Sequence, residues 1–99
     1  MAEPRVAVPP GGFAGPVKRS ITIAGHQTSI SLEPVFWSML REAAAAQGVS
    51  VNALIARIDA ERIRAPRPPG LASAVRVWLV AGGRRGQDAA EAEQGEKPG

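Results

Sequence analysis

The side chains that could perform chemistry in this sequence are few. Cysteine is absent and His26 is the single histidine, so thiolate metal sites are excluded and a zinc site would lack its usual ligands. Ser29 and Ser31 have no general base close by in the sequence, and no nucleophile–base pair or carboxylate pair stands out. We therefore predict a protein that is not an enzyme and that requires no metal or cofactor.

Positive charge is concentrated in the body of the chain. Residues 18–85 contain ten Lys or Arg and four Asp or Glu, a balance of +6, whereas residues 86–99 carry four acids and one lysine, a balance of −3. A basic body suits an anionic partner, and nucleic acid is the first partner class to consider. Ordinary solubilising charge is the alternative.

The length of 99 residues allows one folded domain at most. Residues 1–17 and 82–99 are rich in Gly, Pro, Ala and charge, so we predict two disordered tails around a domain at residues 18–81. A core this small usually needs disulfides, a metal or oligomerisation, and the composition favours oligomerisation. No apolar run approaches the roughly 20 residues of a membrane span, and no signal peptide is evident, so we expect a soluble cytoplasmic protein without membrane contact.

A short β-strand is predicted at the centre of the chain, because side chains there alternate in character with a period of two. One face would carry Thr28, Ile30 and Leu32, and the other would carry Gln27, Ser29 and Ser31. A single strand cannot satisfy its own backbone N–H and C=O groups, so it needs a partner.

The origin of the partner strand is open at this point. Residues 21–23 could form a second short strand, with residues 24–27 as a bend, or the whole stretch could be one long strand with a bulge at Gly25. Neither alternative supplies a reliable partner within the chain. We therefore expect the partner to be the same strand of a second copy, paired antiparallel about a two-fold axis.

Two helices are predicted after the strand. Glu33 and Pro34 suit the first turn of helix A, and Gly48 is a natural stop. Ser50 is a good N-cap for helix B, which should end near Arg64 because prolines follow. The apolar stripe of helix A is Phe36, Trp37, Leu40, Ala43 and Ala44, and that of helix B is Val51, Leu54, Ile55 and Ile58.

A third helix is our preferred interpretation of residues 71–82. Leu71, Val75, Trp78 and Leu79 would share one helical face, although valine and tryptophan also favour a strand there.

The ordered set of these motifs resembles the ribbon-helix-helix family, which includes the Arc and methionine repressors. The resemblance covers residues 28–58, with "TSISLEPVFWSMLREAAAAQGVSVNALI" at residues 28–55 as most of the matching text. It is most similar to a subgroup of small bacterial proteins with "KRS-hydrophobic-TIAGH" before the strand and "L-x-S-A-hydrophobic-R" near the end, here "LASAVRV". With these flanks the resemblance extends over residues 18–79.

The resemblance implies a mainly α fold with one short β-strand, in which two chains intertwine as a homodimer with a two-stranded antiparallel ribbon. A third helix would be added to that minimal fold. The shared dimer core would consist of Ile30, Leu32, Phe36, Trp37, Leu40, Leu54, Ile55 and Ile58.

The implied function is sequence-specific binding of double-stranded DNA by a transcriptional regulator, because a two-stranded ribbon fits the major groove. Base readout would fall to Gln27, Ser29 and Ser31, and phosphate contacts to Lys18, Arg19, Ser50, Val51 and Asn52. Many family members place Lys or Arg on the outward strand face, whereas this chain has Gln and Ser. The alternative is a dimerisation module such as an antitoxin, whose C-terminal helix binds a partner protein.

Overall fold

The computed structural model describes residues 3–83, which form a β-hairpin followed by three α-helices and a π-helical turn. The elements are β1 (Val17–Ile23), β2 (His26–Leu32), α1 (Pro34–Gln47), α2 (Val51–Arg62), α3 (Leu71–Val77) and the π-helical turn Trp78–Gly83.

The two predicted tails lie at the margins of the described chain. Residues 3–16 contain no helix or strand, and the N–H of Gly12 donates to the carbonyl of Pro9 at 2.8 Å in a turn. β1 begins at Val17, the last residue of the predicted N-terminal tail. The predicted acidic tail lies outside the described residues except for Gly82 and Gly83, so its disorder stays a prediction.

The expectation of a single strand without a partner in its own chain is wrong. β1 pairs antiparallel with β2, with Val17 opposite Leu32 and Ile23 opposite His26. The hairpin closes through Ala24 and Gly25, whose φ angles of 51° and 80° are both positive, as in the type I′ turns that match the twist of paired strands. The bend that the sequence left open as an alternative is therefore the turn of this hairpin.

The two central helices begin and end at the predicted signals. Pro34 is the first residue of α1, and Gly48 ends it in the left-handed conformation with φ 67°. Ser50 is confirmed as the N-cap of α2, because its hydroxyl oxygen accepts a hydrogen bond from the backbone N–H of Ala53 at 3.0 Å. α2 ends at Arg62, two residues earlier than expected.

The third helix is confirmed, and the strand alternative for this segment is wrong. α3 runs directly into the π-helical turn, and both use one apolar face. Val75 and Leu79 on this face are buried, while Leu71 and Trp78 are half-buried against the core. The segment that was additional to the minimal fold is therefore part of the hydrophobic core.

The core lies between the inner face of the hairpin and the helices of the same chain. Its buried side chains are Ile21, Ile30, Leu32, Trp37, Leu40, Ala43, Ala44, Leu54, Ile55, Ile58, Val75 and Leu79. Seven of the eight residues predicted for a shared dimer core are in this set, and the eighth, Phe36, is half-buried beside it. Their burial is thus largely achieved within one chain.

Within residues 3–83, no helix is long and apolar enough to cross a membrane.

Gly48→Ala should destabilise the protein by about 1 kcal/mol, because a side chain in the left-handed conformation is strained. The space beside Gly48 is open, so backbone strain is the main cost. Gly15→Ala is the matched control, since Gly15 also faces open space but does not have a positive φ. Urea unfolding followed by circular dichroism measures both, and equal losses would contradict the assignment.

Candidate nucleic-acid interface

The register of the hairpin sorts its side chains onto two faces, because residues opposite each other in an antiparallel pair point to the same side. The inner face, which packs on the helices, carries Val17, Arg19, Ile21, Ile23, His26, Thr28, Ile30 and Leu32. The outer face carries Lys18, Ser20, Thr22, Gln27, Ser29 and Ser31.

The outer face is polar along both strands. Five of its six side chains are exposed, and Ser31 is half-buried. Lys18 lies opposite Ser31, Ser20 opposite Ser29, and Thr22 opposite Gln27. Lysine supplies donors and a positive charge, while the amide and the hydroxyls can each donate and accept. This surface offers hydrogen bonds to a polar, negatively charged partner.

The three residues predicted for base readout lie together on this outer face, and so does Lys18. Ser20 and Thr22 share the face, although the sequence analysis did not single them out. The sequence pattern that could have identified them is the alternation in β1, where Lys18, Ser20 and Thr22 occupy every second position.

Arg19 lies on the inner face, whereas its neighbour Lys18 lies on the outer face. Its guanidinium carbon is 5.2 Å from the centroid of the Trp37 ring, a distance typical of a cation–π contact. The Trp37 ring nitrogen Nε1 in turn donates a hydrogen bond to the carbonyl of Val17 at 3.0 Å. Trp37 therefore fastens the start of β1 to α1, and Arg19 covers the outside of that contact.

Arg76 of α3 holds the end of β2 from the other side. Its guanidinium donates to the carboxylate of Glu33 at 2.9 Å and to the carbonyl of Ser31 at 3.3 Å. It also lies over the ring of Phe36, with its guanidinium carbon 5.8 Å from the ring centroid. Through Arg76, α3 fixes the point where the chain passes from β2 into α1.

The N-terminus of α2 is the third part of the candidate interface. Ser50 and Asn52 are exposed and Val51 is half-buried. The first turn of α2 contains no acidic residue, so the partial positive charge of the helix end is not neutralised there. The Ser50 hydroxyl accepts from Ala53 and keeps its own hydrogen for another acceptor. These groups can bind an anion.

A comparison with protein-family models matches residues 16–82 to the ribbon-helix-helix domain. The chain belongs to the ribbon-helix-helix family. Proteins with this domain are generally DNA-binding regulators or antitoxins, they form dimers, and they are typically not enzymes. No curated protein and no solved structure gave a match. The matched segment runs from just before β1 to within one residue of the end of the π-helical turn. This ribbon-helix-helix domain therefore includes the hairpin and α3.

The ion pair between Glu33 and Arg76 should make stability depend on pH. The pKa of the Glu33 carboxyl lies below its usual value of 4.5, because the carboxylate accepts hydrogen bonds from its own backbone N–H and from Arg76. Because this pKa is lower in the folded state than in the unfolded state, the ionised carboxylate stabilises the folded protein at pH values above the unfolded-state pKa. This stabilisation is lost as the pH falls through the folded-state pKa.

Glu33→Gln should therefore lower Tm at pH 7, and the difference from wild type should shrink as the pH falls below 4.5. Thermal unfolding at a series of pH values measures it. The matched control is the same substitution in an Arg76→Met background, where the pH-dependent difference should be smaller. An equal difference in both backgrounds would contradict the contribution of Arg76.

Proposed function

We propose that this protein is a sequence-specific DNA-binding homodimer that acts as a transcriptional regulator. The observation that carries the proposal is the outer face of the hairpin, which is polar along two strands, largely exposed, and free of acidic residues. A surface of this kind suits the major groove, where base edges present both donors and acceptors.

Base discrimination would depend mainly on Gln27. Its side-chain amide can form two hydrogen bonds with adenine, whereas Ser29 and Ser31 can either donate or accept and so distinguish bases less well. Ser31 is also the most enclosed of the three. We therefore assign the main sequence preference to Gln27 and a supporting role to the serines.

Phosphate contacts would come from Lys18 and from the start of α2. Lys18 extends from the same face as Gln27, and the N–H groups of Val51 and Asn52 with the Ser50 hydroxyl can hold a phosphate oxygen. Arg19 could reach a phosphate only by leaving the Trp37 ring, because it lies on the inner face. Its contribution should accordingly be smaller than that of Lys18.

The dimer would form through the second edge of β2. In a two-residue hairpin, the residues that flank the turn exchange hydrogen bonds, so every second residue of β2 from His26 onward faces β1. The N–H and C=O groups of Gln27, Ser29 and Ser31 then point away from β1. The hydrogen bond from Arg76 to the Ser31 carbonyl agrees with this direction. Apart from the Ser31 carbonyl, which Arg76 occupies, this edge of β2 has no pairing strand among residues 3–83 and is a template for a second strand.

Gln27→Ala should reduce the preference for a specific duplex by about 1–3 kcal/mol while leaving the fold intact. The duplex would be one selected from a random pool by the wild-type protein, and fluorescence anisotropy would compare it with a scrambled duplex. Thr28→Ala is the matched control, because Thr28 neighbours Gln27 on the opposite face. Unchanged preference in Gln27→Ala would overturn the assignment of base readout.

Ser29→Pro should convert the dimer into a monomer with an intact hairpin, because proline removes an N–H that points to the open edge. Ser29→Ala keeps that N–H and should stay dimeric. Sedimentation equilibrium gives the mass, and circular dichroism checks the fold. A monomeric wild type, or a Ser29→Pro variant that remains dimeric, would contradict dimerisation through β2.

A second candidate function is an antitoxin-like module that binds a partner protein through α3. It is favoured by Val77 and Val80, which are 65% and 69% exposed on the side of α3 and the π-helical turn that faces away from the core. Beside them, α2 and α3 border an open, mainly apolar groove of about 590 Å³. Absence of binding to any duplex at low salt would favour this candidate over the regulator.

A further inference from the structure

β1 contributes half of the outer face, and the base-readout assignment leaves two of its side chains unused. Ser20 and Thr22 are exposed and lie directly opposite Ser29 and Gln27. With Lys18 they form a row of hydrogen-bond donors along β1. We call Lys18, Ser20 and Thr22 the β1 row.

The width of the sheet determines where the β1 row would lie on DNA. If two copies pair through the open edges of β2, the sheet has four strands, with β1 and its copy outermost. Strands are about 4.8 Å apart, so the two outer strands are separated by about 14 Å. The major groove is about 12 Å wide and admits a two-stranded ribbon.

Because of this mismatch, the two copies of β2 can enter the groove but the two copies of β1 cannot. Each β1 would instead lie above one wall of the groove, where the phosphate groups are. Lysine and small hydroxyl side chains are suitable donors to phosphate oxygens, and such contacts carry no direct sequence information. The absence of acidic side chains from the outer face agrees with an anionic partner at this position.

We propose that β1 is a phosphate-binding strand, in which Ser20 and Thr22 act with Lys18 to hold the DNA backbone on both sides of the groove. The inference rests on the proposed DNA-binding homodimer and deepens it. It assigns sequence preference to β2 and sequence-independent affinity to β1.

The test is the salt dependence of DNA binding by Thr22→Lys. An added lysine that reaches a phosphate should steepen the slope of log K against log salt by about 0.9 for each contact, hence by about 1.8 for a dimer. Thr28→Lys is the matched control, because Thr28 is also an exposed strand threonine but lies on the inner face. Its slope should stay close to that of wild type.

A second variant tests the natural hydroxyls without adding charge. Ser20→Ala combined with Thr22→Ala should weaken binding to a selected duplex and to a scrambled duplex by the same factor, at least about tenfold, since the dimer loses four donors to charged oxygens, two from each chain. Circular dichroism and sedimentation check that each variant is a folded dimer.

The outcomes separate the inference from the function on which it rests. Wild-type binding with equal slopes for Thr22→Lys and Thr28→Lys would overturn the role of β1 and leave DNA binding intact. A changed sequence preference in the double variant would place β1 inside the groove and would also overturn it. A wild-type protein that binds neither duplex at low salt would overturn the proposed function and the inference with it.

Discussion

The pairing register of β1 and β2 determines which side chains of this protein can act together. A strand residue and its opposite neighbour point to the same side, so one register creates a wholly polar outer face and places Ile21, Ile30 and Leu32 in the core. A shift of β1 by one residue against β2 would turn Lys18 toward the core while Gln27 stayed on the outer face. The tight turn at Ala24 and Gly25 fixes this register.

Contacts from the helices hold both ends of the strands opposite the turn. From α1, the Trp37 ring donates a hydrogen bond to the carbonyl of Val17. From α3, Arg76 donates hydrogen bonds to the carbonyl of Ser31 and to the carboxylate of Glu33. α3 is therefore coupled to the candidate interface although it follows α2 in the chain and lies far from the strands in sequence. Its outward side remains apolar, which is why a partner protein is the competing interpretation of that helix.

Much of this arrangement follows from local signals in the sequence. Gly48, Ser50 and the 3–4 spacing of apolar residues predict α1 and α2, and the alternation from Gln27 to Leu32 predicts the polar face of β2. β1 was predicted only in part, as an alternative at residues 21–23, because Arg19 interrupts its apolar alternation and Ala24 gives the turn an unusual sequence. The bond between Arg76 and Glu33 joins residues 43 apart, so only the tertiary fold brings them together.

The most direct test of the account is a nitrogen–proton correlation spectrum of the isotopically labelled protein during titration with a selected duplex. The account predicts that amide signals of the outer face shift together with those of Ser50 and Asn52. The outer-face signals are those of Lys18, Ser20, Thr22, Gln27, Ser29 and Ser31. Signals of the exposed Val77 and Val80 should remain in place. Shifts confined to α3, or no shifts at low salt, would contradict a DNA-binding role for the hairpin.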